Sequence, residues 1–148
     1  MQKFAIPVSS TNLLFAENPC SAPKFALFSV HRVYAKTVYA LIGYVPNPWL
    51  DDNGNMMCST DLEHSGCSED VQSNKTHIGE HYLILEAIGG CDFLLAKTYC
   101  ENTKRTLFNA GIKIYKLPHF ISNIDIAIKN FLIGARIADS IKLINHAS

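Results

Sequence analysis

Five cysteines and six histidines carry most of the soft-donor chemistry in this chain. Thiolates and imidazoles together suit iron–sulfur clusters and soft or borderline metal ions. Cys100 stands in Lys97-Thr98-Tyr99-Cys100, after an apolar run and ahead of a short helical stretch. A helix N-terminus favours an anion, so a thiol there is expected to ionise more readily, and Lys97 is expected to push the same way. The competing reading makes Cys100 a small apolar filler. Cys20, in Asn18-Pro19-Cys20-Ser21, lies between the loop prolines Pro19 and Pro23, either as a ligand or as an exposed thiol. Cys91 opens its strand at the opposite end and reads as structural.

A second group of donors lies in a polar stretch. Cys58, His64, Cys67 and His77 would complete a tetrahedral site, with His64-x-x-Cys67 as its chelating pair and Met56-Met57-Cys58 adding sulfur. The paired C-x-x-C spacing of a zinc signature is absent, so an acidic surface loop with incidental ligands is the alternative. His77 falls just before a helix, as a ligand or a helix-start residue, and His81, one turn later, reads as exposed. A nucleophilic pair of Cys100 with His77 or His81 is a third, lesser reading. His31 and His119 read as surface or strand-end residues, and His146 lies in a tail.

Positioning these residues requires a sheet. Lys3–Val8, Lys24–Val30 and Thr37–Val45 are short, bulky and β-prone, and predict three strands. Pro46 and Pro48 end the third, and a loop over 46–76 follows, long enough to be functional or mobile. Ile78, Tyr82, Leu85 and Ile88 fall at helical spacing from His77 to a stop at Gly89-Gly90. Cys91–Ala96 is a near-continuous apolar strand, Glu101–Ala110 a short helix closed by Gly111, and Ile112–Leu117 the next strand. That succession is a βαβ unit, and α/β sheets bind ligands beyond the carboxyl ends of their strands. Ser122 is placed to cap a helix running to about Leu132, with Ile121 and Ile126 as a hydrophobic staple. Gly134 is expected to break it before a final amphipathic segment, Ala135–Ile144. No internal repeat is visible.

The predicted architecture is an α/β, RNase H-like three-layer fold. Its mixed five-stranded sheet would hold three antiparallel strands plus a parallel βαβ pair, with helices on the faces. One domain spans 1–133, and 134–148 form a C-terminal helical extension.

Composition narrows the function. A chain of 148 residues, 48% hydrophobic and 18% charged, suits one domain with a real core. Thirteen basic residues balance thirteen acidic ones, which argues against a nucleic-acid partner. No apolar run approaches the ~20 residues of a membrane span. The opening MQKFAIPVSS enters a strand at once and shows no signal-peptide pattern, so the expected compartment is the cytoplasm, with reduced thiols. An RNase H-type nuclease is unlikely on residue grounds: Lys3–Val8 holds no acid, and Asp92 stands at the wrong end of its strand. Phosphate-loop, dinucleotide and nucleophile-elbow motifs are absent.

Cys91-Asp92-Phe93-Leu94-Leu95-Ala96, followed by Leu107-Phe108-Asn109-Ala110-Gly111-Ile112-Lys113-Ile114-Tyr115, resembles the dinitrogenase iron–molybdenum cofactor biosynthesis family. That family includes NifX-like carriers and the C-terminal domain of NifB. Lys3–Val8 is similar to its opening strand and Ala22-Pro23-Lys24-Phe25 to its A-P-x-F lead into the second, so the resemblance spans roughly Lys3–Leu132. Two loops depart from it. Asn18-Pro19-Cys20-Ser21 replaces an H-F-G-R run and Lys97-Thr98-Tyr99-Cys100 a G-G-x-G run, each placing cysteine where the family has glycine. The chain thus reads as a diverged member.

The resemblance implies that these two loops leave one edge of the sheet, so that Cys20 and Cys100 face one cleft. It implies a small, non-enzymatic carrier in nitrogen fixation that holds an iron–sulfur or iron–molybdenum-type cluster, zinc being a further possibility. Cluster-donor or acceptor proteins would be its partners. Cys20, Cys100, Lys97 and His77 are the expected cofactor residues, with Cys58, His64 and Cys67 as further metal ligands. A homodimer through Phe131–Ile144 is a further expectation. The alternative is a metal-free interaction or redox-regulatory module on the same fold.

Overall fold

A computed structural model describes residues 2–50 and 81–147, with side chains through residue 135. Three antiparallel strands come first: β1 (Gln2–Val8), β2 (Lys24–Val33) and β3 (Lys36–Pro46). A 3-10 turn at His81–Ile84 leads into a one-turn helix α1 (Leu85–Ile88). Then follow β4 (Phe93–Ala96), α2 (Glu101–Asn109), β5 (Lys113–Lys116) and α3 (Ile124–Ala147). The sheet order is β3-β2-β1-β4-β5, with β4 parallel to β1 and β5 parallel to β4. This is the expected mixed sheet of an RNase H-like fold.

Alternation along the strands sorts side chains onto two faces. Phe4, Ile6 and Val8 of β1, Phe28 of β2 and Leu95 of β4 pack with Ala127, Ile128 and Phe131 of α3. Phe131 is the hub of this layer: its ring lies 5.2 Å from Phe4, 5.0 Å from Phe93 and 5.2 Å from Tyr115. Ala5, Phe25 and Leu94 point the other way, against Ile84 and Ile88 around α1 and Leu107 of α2. Helices on both faces make the third layer, which is why β4 reads as a continuous apolar run.

Several local expectations shift. Of the helix predicted from His77, the described part opens with a 3-10 turn at His81–Ile84, residues 51–80 lying outside the described ones. Asn123, not Ser122, caps α3, its Oδ1 accepting from the N–H of Asp125 at 2.8 Å and of Ile126 at 3.3 Å. Moving the cap by one residue dissolves the staple, and Ile126 is 55% exposed while Ile121 enters the core. Gly134 does not break the helix. It gives room to Tyr115, whose hydroxyl would stand 2.7 Å from a Cβ there and which donates to the carbonyl and side-chain oxygens of Asn130.

The β2–β3 connection is a two-residue hairpin in which both Tyr34 (φ 50) and Ala35 (φ 65) are left-handed. Such primed turns match strand twist but favour Asn-Gly, because a Cβ is crowded at positive φ. Tyr34→Asn combined with Ala35→Gly is therefore expected to stabilise the fold by about 1 kcal/mol. A thermal midpoint that fails to rise would contradict the turn assignment.

Candidate metal centre

Strand direction decides what meets at each end of the sheet. β1, β3, β4 and β5 all point their carboxyl ends to one edge, where β2 begins: Val8 pairs with Lys24, and Lys24 with Pro46. Three segments therefore converge there: the turn before β2, the residues after β3, and the link from β4 to α2.

Cys20 sits in the first, a 3-10 turn at Pro19–Ser21 that carries proline at its start, where the missing N–H is no loss. Its side chain is buried, so the expected alternative of an exposed thiol is overturned. Asn47, buried just beyond β3, clamps this turn. Its Nδ2 donates to the Cys20 carbonyl at 2.9 Å and the Ala22 carbonyl at 3.0 Å, and its Oδ1 accepts from the Trp49 N–H at 3.0 Å. Residues 47–50 are thus a built segment, whereas the polar loop expected from Asn47 onward lies, beyond residue 50, outside the described residues.

Cys100 is the N-cap of α2, with extended backbone (φ −85, ψ 165) and its Sγ accepting from the Thr103 N–H at 3.4 Å. The Thr103 hydroxyl lies 3.2 Å from the same sulfur and donates to Asn18 Oδ1 at 3.1 Å. Asn18 Oδ1 also accepts from the Cys20 N–H at 3.5 Å, so one side chain ties the two cysteine loops together.

His81 supplies the third donor. The sequence reads it as exposed or, in the lesser reading, as a partner of Cys100; it is 1% exposed, with Nε2 3.4 Å from Cys100 Sγ. Trp49, itself fully buried, packs its ring 4.5 Å from the imidazole at 57°. The donor atoms of Cys20, His81 and Cys100 all lie within 4.8 Å of one another. Metal–sulfur bonds of about 2.3 Å and metal–nitrogen bonds of about 2.0–2.1 Å in a tetrahedron put neighbouring sulfur and nitrogen about 3.6 Å apart, and two sulfurs about 3.8 Å apart. The observed spacing fits such an ion with small side-chain adjustments, and these three residues could hold it. Cys100 is the partly exposed member of the three.

The other predicted donors do not join them. Lys97 is nearly buried, and its Nζ donates to the His119 carbonyl at 3.2 Å, linking the exits of β4 and β5. Cys58, His64, Cys67 and His77 lie outside the described residues. Cys91 is at the opposite edge, beside Asp92, whose Oδ2 accepts from the Lys3 N–H at 2.9 Å. Burial, and secondarily Asp92, push the Cys91 thiol from 9.0 to about 11, against the opposing pull of Lys3. A thiol held so firmly in its neutral form is a core residue. Asn18, Asn47, Trp49 and Thr103 were not singled out from sequence; the one available signal was a lone tryptophan just after two prolines.

Asn47→Ala is expected to destabilise the fold by about 1–3 kcal/mol, because the buried hydrogen bonds to the Cys20 and Ala22 carbonyls and from the Trp49 N–H are lost together. Denaturant unfolding measures this, and a change below about 0.5 kcal/mol would dismiss the clamp. At Cys91 the folded form retains its proton where the unfolded thiol has lost it. Its contribution is therefore complete below pH 9 and drains away as pH rises towards about 11. Cys91→Ala should show a shallower alkaline loss of stability than wild type; parallel curves would refute the assignment.

No family model matches the chain, and no curated protein matches it. Among solved structures it is similar to an NMR structure of a NifB-like protein of the DUF35 family from Thermotoga, with 18% identity over 90% of each chain and a TM-score of 0.46.

Proposed function

We propose that this protein is a small carrier that holds a thiophilic metal ion or metal–sulfur cluster on Cys20, His81 and Cys100 and yields it to a partner protein. The observation that carries the reading is the donor set: two sulfurs and one imidazole nitrogen within 4.8 Å, drawn from three separate segments. Two sulfurs stand within 4.8 Å of a buried imidazole, and thiolate and imidazole together are the ligand types that soft and borderline metals take.

Three ligands leave a tetrahedral metal one open position. In this reading, an acceptor's thiolate enters there from the Cys100 side, and the protein's ligands leave in turn. Transfer then needs no catalytic residue, and the chain is a carrier, not an enzyme. Asn18 and Thr103 hold the cysteine loops, as outer-shell groups do in metal sites generally. Cluster donors and acceptors are the proposed partners, an iron–sulfur or iron–molybdenum-type precursor the proposed cargo, and zinc the simplest ion that fits. The nitrogenase pathway is one setting for such a cargo. Reduced thiols are required, which suits the cytoplasm. Among the described residues no helix is long and apolar enough to cross a membrane.

Anaerobic purification followed by assay of iron, acid-labile sulfide and zinc tests this. Wild-type protein should retain close to one ion or cluster per chain. Cys20→Ser, Cys100→Ser and His81→Ala should each weaken binding by more than the about 10–100-fold typical of outer-shell changes, with the circular dichroism spectrum preserved. Wild-type chain that takes up neither zinc nor a reconstituted cluster, or variants that bind as well as wild type, would overturn the reading.

A further inference from the structure

The ligand sulfurs of Cys20 and Cys100 are also each other's neighbours. Neither forms a disulfide in this structure, and their Sγ atoms lie within 4.8 Å of one another. A disulfide needs about 2.05 Å, so the sulfurs must close by less than about 3 Å, which is within reach of side-chain rotation. We infer that Cys20 and Cys100 form a reversible disulfide whose closure expels the bound metal, so that the site is discharged by oxidation as well as by a partner. This rests on the carrier reading for its metal, but not for its sulfur chemistry.

The two thiols are unequal in the way such a device requires. Cys100 is partly exposed, at the head of α2, and an oxidant reaches it first. Cys20 is buried behind it on a turn that Asn47 and Asn18 hold in place. A hydroperoxide supplies the oxidising equivalents. Its terminal oxygen passes to Cys100 Sγ, giving the sulfenic acid and, from hydrogen peroxide, one water. Cys20 Sγ then attacks that sulfur, forming the S–S bond and releasing a second water. Starting from two metal-bound thiolates, the sum takes up two protons from solvent and frees one divalent cation.

Among the described residues His81 is the one donor of the three left afterwards, and one neutral imidazole does not retain an ion that three ligands held. Cys91 is excluded as the resolving thiol because it lies at the other edge of the sheet with its proton firmly bound. Reduction by a small dithiol restores both sulfurs, and the site can be refilled.

The full chain, loaded anaerobically with zinc, is treated with hydrogen peroxide while a chromophoric chelator follows release. Peptide mass mapping then locates the linkage. Near-complete zinc release, a Cys20–Cys100 peptide, and recovery of binding after dithiothreitol are expected, with Cys91→Ser behaving as wild type. Cys20→Ser should instead accumulate sulfinic acid at Cys100. Zinc that stays bound through oxidation, or a linkage from Cys100 to Cys58 or Cys67, overturns the inference and leaves the carrier reading intact. Zinc that never loads overturns the carrier reading, and the same peroxide treatment of metal-free chain then decides the disulfide by its own peptide map.

Discussion

Phe4 pairs with Phe93 and Ala5 with Leu94, and through this short parallel contact β4 is set beside β1 in the middle of the sheet. Everything at the candidate centre depends on it. Parallel neighbours place their carboxyl ends together, so the chain leaving β4 is delivered to the edge from which β2 departs. Had β4 paired antiparallel, Cys100 would stand at the edge that Cys91 occupies. The contact is buttressed from both faces, by Phe131 against Phe4 and Phe93, and by Leu94 among Phe25, Ile84 and Leu107. Stacking of Phe4 on Phe28, at 5.2 Å, extends the same grip to β2.

Around the donors the polar groups are buried, and burial makes their hydrogen bonds decisive. An unsatisfied amide or carbonyl in such surroundings costs about twice what a satisfied one contributes. Asn47 alone serves two carbonyls and one amide, and Asn18 joins the Cys20 turn to Thr103 beside Cys100. Little freedom is left to the two cysteine backbones. What movement remains belongs to the side chains, which is the condition both for ligand exchange and for sulfur–sulfur closure. The contrast with Cys91 is instructive: the same residue type, buried and beside a carboxylate, is kept neutral.

Much of this protein is legible along the chain. Strand runs bounded by Pro, Ser and Asn, the βαβ succession, and Gly111 at φ 77 after α2 each follow from local sterics and hydrophobic period. Those signals act within a few residues, so the sequence by itself determined the order and kind of elements and marked two loops as bearing cysteine. Even locally, competition between near-equal options escaped it. Asn123 and Ser122 are both competent caps, and the choice falls to whichever start lets Ile121 and Ile128 reach the core. Gly134 carries the mark of a helix stop, yet its purpose is a close approach to Tyr115, which the sequence has no means of expressing.

Tertiary structure alone decided the donor set. His81 has an unremarkable local context, and nothing nearby in sequence says that its ring will be covered by Trp49 and brought to Cys100. Cys20, flanked by polar and proline residues, has the local look of a surface thiol, and only the clamp from Asn47 carries it inside. The physical reason is common to both. Backbone conformation is governed by neighbours in sequence, whereas convergence of side chains is governed by strand direction, register and the layer that closes over them, which are set by contacts between distant segments.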